Sequence, residues 1–435
     1  MSQLNLFNFK QGLFERVCSI EELQTAYKAV RSNHGSPGID GVSVEQFGER
    51  LIKELAQLKE ELESWTYKPK PVRRVEIPKP QGGVRLLGIP TVRDRVVQTA
   101  MKNVLEEIFE PQFSANSYGF RPGKNQGQAV KAAQQIVKSG KPYVIDIDLS
   151  RFFDTIQHDR LIYRLSLKVQ DKRLLRLIGV TLRSGIMQDG LVSSSTEGSV
   201  QGSPVSPLLS NVVLDELDKE LESRGLAFCR WADDCNIFVK SQKAAQRVMT
   251  TVSRFIEERL KLQVNREKSK VAMSEAVKFL GITIVAGTIA ISTAALAKAM
   301  EKVKALTPRG TSQSVEQTIQ EVNKWYVGWA NYFQMTQYPA QLRKIEAHVR
   351  RRLRARTVSQ QKRRRHLYQK LIKRGVKRNI AAKVFKGGRR WALSKSAAVE
   401  RAFPNHFFIH TLGQEIFSDD KRKHWFGPEV WVKLT

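Results

Sequence analysis

Between about Ser19 and Arg31 the apolar positions recur at helical spacing, and a turn-rich stretch from Asn33 to Gly41 (NHGSPGIDG) separates them from a second helical run ending near Ser64. From Tyr67 to Pro90 the chain is rich in Pro, Gly and β-branched residues, which predicts strands joined by turns. Strand and helix signals then alternate to about residue 290, and beyond it the periodicity is helical almost to Trp391. The pattern predicts an α/β body followed by an all-helical domain, with no internal repeat and no low-complexity linker.

One stretch departs from this alternation. FLGITIVAGTIAISTAALA, between Lys278 and Lys298, is uncharged and nearly long enough to cross a bilayer. However, Ile282/Ile284 and Ile289/Ile291 alternate around Ala286-Gly287, which predicts a β-hairpin, and Ser292 or Thr293 can cap the helix that follows. No membrane span is expected.

Charge sharpens the division. The 435 residues carry 73 Lys and Arg against 42 Asp and Glu, a formal +31, and 41% hydrophobic residues are ample for packed cores. Residues 341–390 hold 20 Lys and Arg and one acid, Glu346. A solvated helix face usually interleaves both signs; VRRRLRAR and QKRRRHLYQK lack acids to pair with, so a polyanion is implied. Apolar residues such as Leu353, Leu367, Leu371, Val376 and Trp391 punctuate the run, predicting basic amphipathic helices. Nucleic acid is the favoured partner and a membrane surface the runner-up. The candidate contacts are Arg350, Arg351, Arg352, Arg354, Arg363, Arg364, Arg365, Lys373, Arg374, Lys377 and Arg378.

Cys18, Cys229 and Cys235 form no CxxC pair, which argues against a disulfide framework or a cysteine zinc module and for a reducing compartment. MSQLNLFNFKQGLFERV lacks the pattern of a secretory signal, so a cytoplasmic location is expected. Cys229 and Cys235 read as small core residues. His406 and His410, spaced i,i+4 without an acidic partner, read as packing or RNA contact rather than zinc ligands.

Two acidic clusters sit inside apolar, strand-like runs, where a carboxylate is costly unless something binds it. In PYVIDIDLSRFFD, alternation places Val144, Asp146 and Asp148 on one face and Tyr143, Ile145, Ile147 and Leu149 on the other. In FCRWADDCNIFV, Asp233 and Asp234 interrupt two apolar arms, the pattern of a hairpin with carboxylates at its tip. Crowded carboxylates without nearby Cys or His favour Mg²⁺, and a pair of such ions about 3.5–4 Å apart suits in-line phosphoryl transfer. Asp146 and Asp154 also read as a strand-edge residue and a turn residue.

The order of motifs then carries a resemblance: Asp148 opening DLSRFFD, Gln201 to Asn211 (QGSPVSPLLSN), Ala232-Asp233-Asp234, Asn265 to Lys270 (NREKSK) and Phe279-Leu280-Gly281. The chain resembles a bacterial group II intron reverse transcriptase and maturase over nearly its whole length. The resemblance implies an α/β right-hand polymerase, fingers and palm, followed by an all-α basic thumb/maturase domain. It implies an N-terminal extension over 1–66, fingers and palm over 67–290, thumb and maturase domain X over 291–385, and a maturase continuation over 386–435. Asp148, Asp233 and Asp234 match the catalytic, metal-binding triad, with two Mg²⁺ ions and Mn²⁺ as a substitute. Phe153 matches a steric gate against the 2′-hydroxyl, Gln201 and Gly202 the loop beside the nascent base pair, and Lys79 and Arg85 a triphosphate clamp. Lys268 matches a basic residue near the incoming nucleotide, and Trp231 and Ala232 match positions at the primer terminus.

The implied activity is RNA-directed DNA synthesis, with binding of group II intron RNA to assist splicing and target-primed cDNA synthesis in retrohoming. The implied partners are intron RNA, an RNA template with a DNA primer, target DNA and dNTPs; a homodimer is left open. Departures are Trp231, where the family usually has Tyr or Phe, and Ser203, where it more often has glycine. No Cys/His-bearing nuclease segment is seen before Thr435, so priming from nascent strands at a replication fork is expected in place of second-strand nicking. Alternatives are a host-domesticated enzyme of repair or phage defence, a splicing cofactor without polymerase activity, and a DNA-templated polymerase.

Overall fold

The structure, a computed structural model, describes residues 12–78, 84–188, 191–193, 197–386, 388–413 and 416–417. A short helix that the apolar pattern does not separate, α1 (Leu13–Cys18), precedes α2 (Ile20–Ser32). Ser19 caps α2 by accepting from the Glu22 amide at 3.2 Å, and Leu23, Ala26, Tyr27 and Val30 form its buried stripe. The helix expected to end near Ser64 is two helices, α3 (Val44–Glu49) and α4 (Leu51–Glu63). Arg50 lies between them at φ −113°, ψ 20°, off the helical ladder, and each piece then buries its own apolar side.

The strands expected between Tyr67 and Pro90 are β1 (Val72–Pro78) and β2 (Val84–Ile89), paired antiparallel and followed by α5 (Val92–Phe109). Buried Asp94 ties them together: it accepts from Tyr67 Oη at 2.7 Å, Thr91 Oγ1 at 2.6 Å and the Lys70 amide at 3.2 Å. Next come α6 (Gln126–Lys138), β3 (Tyr143–Ile147), α7 (His158–Ser166), α8 (Lys172–Leu182), β4 (Ile186–Gln188), β5 (Leu191–Ser193) and α9 (Ser206–Ser223). After them are β6 (Ala227–Trp231), β7 (Asp234–Val239), α10 (Gln242–Phe255) and β8 (Lys270–Met273). Two four-stranded sheets result, ordered β2-β1-β4-β5 and β6-β7-β3-β8. The second is wholly antiparallel, with α6, α9 and α10 packed against it. One continuous apolar core runs from Phe14 to Val264. This is the mixed α/β body that the sequence pattern predicts.

The chain divides into two compact units between Met273 and Ser274. The second opens with the expected hairpin, β9 (Ile282–Val285) and β10 (Thr288–Ile291), turning through Ala286 and Gly287 at φ 47° and 75°. Glutamines satisfy the free edge of β10: Gln337 Oε1 accepts from the Ile289 amide at 2.9 Å and Gln341 Oε1 from the Ile291 amide at 2.8 Å. That bonding joins the hairpin to the helices rather than to the preceding body.

Ser292 caps α11 (Thr293–Leu306), and α12 (Val315–Phe333), α13 (Pro339–Gln360) and α14 (Arg364–Lys373) follow. Short helices follow: α15 (Arg378–Ala381), α16 (Lys383–Lys386), α17 (Arg390–Leu393) and α18 (Ala397–Ala402). Among the described residues no helix is long and apolar enough to cross a membrane.

Candidate active site and nucleic-acid interface

The apolar arms around Asp233 and Asp234 form the expected hairpin: Trp231 pairs with Asp234, leaving Ala232 and Asp233 as a two-residue turn. The neighbouring strand β3 runs antiparallel to β7 and ends with Ile147 opposite Cys235. That last pair leaves Asp148 as the next residue after β3 and Asp234 as the first residue of β7, at the same end of the sheet. Two carboxylate-bearing residues far apart in sequence therefore lie at one end of one sheet, with a third in the adjoining turn.

Asp148 itself lies just past the strand, where the segment after α10 fixes its backbone. Its amide donates to Ser269 Oγ at 3.0 Å and its carbonyl accepts from the Asn265 amide at 2.8 Å. Lys268 Nζ stands 3.9 Å from Asp148 Oδ1; both groups are well solvated, so this pair contributes little to stability. Among the described residues no group of three or more His, Cys, Asp or Glu side chains is gathered closely enough to cage a metal. Mg²⁺ needs no such cage, since it commonly takes one or two carboxylates together with waters and substrate phosphates. The hard oxygen donors at this edge fit that ion.

Beneath the turn lies a feature that the acids alone do not reveal. Arg230 is fully buried, and its guanidinium forks onto Asp218 of α9, with Nε 2.7 Å from Oδ1 and Nη2 2.5 Å from Oδ2. Its remaining arm, Nη1, donates to Asn211 Oδ1 and to the Ala232 carbonyl, each at 2.9 Å. Asn211 Nδ2 in turn donates to the Gly119 carbonyl at 3.0 Å. Burial disfavours the charged guanidinium, and Asp218 more than offsets this, holding Arg230 above its ordinary pKa. Ala232 sits at φ 56°, and a Cβ on Gly119 would fall 2.2 Å from the Ala232 nitrogen, so only glycine lets this backbone touch the turn. The same logic that singles out Asp148 and Asp233 applies to Arg230, a charge inside the apolar arm FCRW, and was the available signal.

Phe153 lies in a single turn, Phe152–Asp154, entered through Arg151 at φ 47°. Phe152 is buried, and the half-buried Phe153 ring meets it edge-on at 5.3 Å. The Phe153 carbonyl accepts from the Ser199 amide at 2.6 Å, tying this turn to the stretch leading into Gln201. Gln201 accepts from the Gly88 amide of β2 at 2.8 Å, and Gly202, at φ 115°, leaves no room for a Cβ against the Gly88 carbonyl. Ser203 is buried and donates to Gln98 Oε1 at 2.9 Å, anchoring the loop to α5. The expected clamp is described only in part: Lys79 lies outside the described residues, and Arg85 lies on β2 opposite Ile77.

The arginine run reads differently in three dimensions. Several guanidiniums cap helix C-termini, where unpaired carbonyls and the helix dipole attract cations. Arg352 donates to the Thr307 carbonyl at 2.7 Å at the end of α11, and Arg364 to the Val384 and Phe385 carbonyls of α16 at 3.0 and 2.7 Å. Arg374 reaches the last carbonyl of α18, Ala402, at 3.2 Å, and stacks 4.0 Å from the Phe407 ring. Arg354 is buried and donates to the Phe403 carbonyl and Asn405 Oδ1, both at 2.8 Å, so it is a tie within the unit rather than a surface contact. Arg356, also buried, bonds Thr318 and Gln313. Arg350 and Arg351 are half-buried, while Arg363, Arg365, Lys373, Lys377 and Arg378 remain exposed for a ligand.

A family model described as reverse transcriptase (RNA-dependent DNA polymerase) matches residues 77–284, and one described as the group II intron maturase-specific domain matches residues 296–375. The chain is 35% identical over 312 residues to Protein YkfC of Escherichia coli strain K12, a match covering 62% of this chain and 82% of that protein. It is 32% identical over 275 residues to group II intron-encoded protein LtrA of Lactococcus lactis subsp. cremoris, covering 62% of this chain and 44% of LtrA. The match thus spans most of one relative and less than half of the other.

Proposed function

The chain belongs to the reverse transcriptase (RNA-dependent DNA polymerase) family and carries a group II intron maturase-specific segment, and from that premise we propose that it copies RNA into DNA and also binds a group II intron RNA to assist its splicing. The observation supporting the polymerase reading is the strand register that sets the end of β3, just before Asp148, beside the start of β7 at the Asp233–Asp234 hairpin turn. Asp148, Asp233 and Asp234 would hold two Mg²⁺ ions, with Mn²⁺ as a substitute, whose chemistry when bound is activation of a 3′-hydroxyl and neutralisation of triphosphate charge. The half-buried Phe153 ring, backed by Phe152, would press on the sugar of the incoming nucleotide and exclude a 2′-hydroxyl. Gln201 and Gly202, held to β2 through Gly88, would support the nascent base pair. Trp231 and Ala232 would meet the primer terminus. Lys79, Arg85 and Lys268 would attract the triphosphate as its charge builds.

For splicing, affinity and shape suffice, because the RNA supplies its own chemistry. The exposed Arg363, Arg365, Lys373, Lys377 and Arg378 would contact phosphates of the intron, and residues 1–66 would help hold template and intron RNA. Residues 291–385 would act as thumb and maturase domain X and 386–435 as its continuation. Retrohoming by target-primed synthesis, on target DNA with dNTPs, extends the same reading. Extension of oligo(dT) on poly(rA), compared with extension on poly(dA), tests the template; splicing of a cognate intron with and without the protein tests the second role. Failure to extend on RNA, or splicing indifferent to the protein, overturns the respective half.

A further inference from the structure

The C-terminal unit carries an open cleft of about 470 Å³, within the range of small-ligand sites. One face of α13 forms its floor, with Lys344, Ala347, His348 and Arg351 in helical succession and Arg350 and Arg354 beside them. Lys395, just past α17, adds another cation, and Glu400 of α18 is the single acid in the lining. Met300 and Ala347 supply an apolar wall, and Ser394 and Asn405 neutral polar groups.

Two of the arginines are already oriented. Arg354 is fixed by the Phe403 carbonyl and Asn405, which makes it a rigid positive wall. Arg351 lies 4.0 Å over the Trp391 ring, and its buried Nε has no hydrogen-bond partner, so a donor is held in place without an acceptor. Burial lowers the pKa of His348, Arg350 and Arg354; Arg352 and Arg351 add to this at His348, while Glu346 and Glu400 partly offset it at Arg350 and Arg354. Other arginines of the run cap helix ends, but Lys344, Arg350, Arg351 and Lys395 line this cleft.

We propose that this cleft is a discrete binding site for a phosphate-bearing ligand of nucleotide size, separate from the exposed basic strip of α14. Arginine's planar fork matches phosphate oxygens in pairs, and several such donors on rigid helices favour a terminal phosphate or a pyrophosphate over a carboxylate. The phosphate could be supplied free, as pyrophosphate or a nucleotide, or at the end of an RNA strand. The site does not depend on the polymerase reading, and its test uses binding alone.

The test is titration of the full chain with inorganic pyrophosphate by calorimetry, and with one short RNA carrying either a 5′-phosphate or a 5′-hydroxyl. Lys344→Glu, on an exposed residue, alters the cleft without disturbing packing, and Arg351→Gln removes the guanidinium held on Trp391; Lys138→Gln, exposed on α6 and outside the cleft, is the control. The expected result is one pyrophosphate site, weakened at least tenfold by either cleft variant and unchanged in Lys138→Gln. Loss of the 5′-phosphate preference in the cleft variants, without pyrophosphate binding, assigns the site to an RNA end and equally supports it. Cleft variants that leave both pyrophosphate and 5′-phosphate binding as in the unaltered chain, or an unaltered chain that binds neither, overturn the proposal.

Discussion

Arg230 and Asp218 form a fully buried, bidentate ion pair 2.5 Å across at its shorter contact, and the same guanidinium holds the Ala232 carbonyl at the turn that carries Asp233. Removing one partner strands the other in an apolar interior, a loss of about 3–5 kcal/mol. Arg230→Met is therefore expected to lower urea-unfolding stability by that amount. Arg230→Lys, which keeps the charge but cannot span Asp218, Asn211 and Ala232 together, should recover part of the stability and much less of the primer-extension rate. Equal recovery of both would mean that Arg230 supports the fold without positioning the turn.

Gly119 gives a second handle on the same turn. A methyl group there would meet backbone atoms of Trp231 and Ala232 rather than a side chain that could swing aside. Gly119→Ala is expected to cut kcat for primer extension by roughly 10²-fold, the scale of a 1 Å misplacement of reacting groups. Circular dichroism and RNA affinity should change little. Near-normal kcat would show that the turn tolerates displacement.

Arg352 and Arg365 separate two uses of the same residue type. Arg352 closes the end of α11, so Arg352→Gln should cost about 1–2 kcal/mol of stability through lost charged hydrogen bonds. Exposed Arg365 has no such task. Arg365→Gln should leave unfolding unchanged and reduce the salt dependence of RNA binding by about 0.7–0.9 in slope if it neutralises one phosphate. Thermal melts and a filter-binding salt series distinguish the two.

The cysteines offer a check by chemistry. Burial raises Cys18 and Cys229 to about 12, with Glu63 and Glu15 adding to the effect at Cys18, and raises Cys235 beyond that range. A raised thiol pKa means less thiolate at neutral pH, so all three should react with DTNB only slowly in the native state and rapidly once unfolded. Fast labelling of native protein at pH 8 would show that the β6–β7 hairpin opens to solvent.

The hairpin at Trp231–Asp234 is legible in sequence because a polar pair between apolar arms has few other meanings, and the β9–β10 hairpin because Ala286-Gly287 splits an alternating run. Arg230 is less legible. Its partners, Asp218 and Asn211, lie on a helix whose acids look like an ordinary solvated face, and only the tertiary packing of α9 against β6 shows them buried. The arginine run misleads for a related reason: counting charges finds no acids to pair with, whereas the acceptors are carbonyls at helix ends, which composition does not display. The break at Arg50 also escapes, since both halves keep helical spacing and only the backbone angle between them changes.

On the proposed reading, Asp148 and the Asp233–Asp234 turn form one catalytic edge. The most direct test is single-turnover oligo(dT) extension on poly(rA) by Asp148→Asn, Asp233→Asn and Asp234→Asn, with RNA affinity measured on the same preparations. Each substitution is expected to lower the extension rate by at least about 10³-fold while RNA binds as before, since removing a group acting in the transition state costs several kcal/mol of barrier. Extension at the unaltered rate in Asp148→Asn or Asp233→Asn, with the protein folded and bound to template, would contradict it.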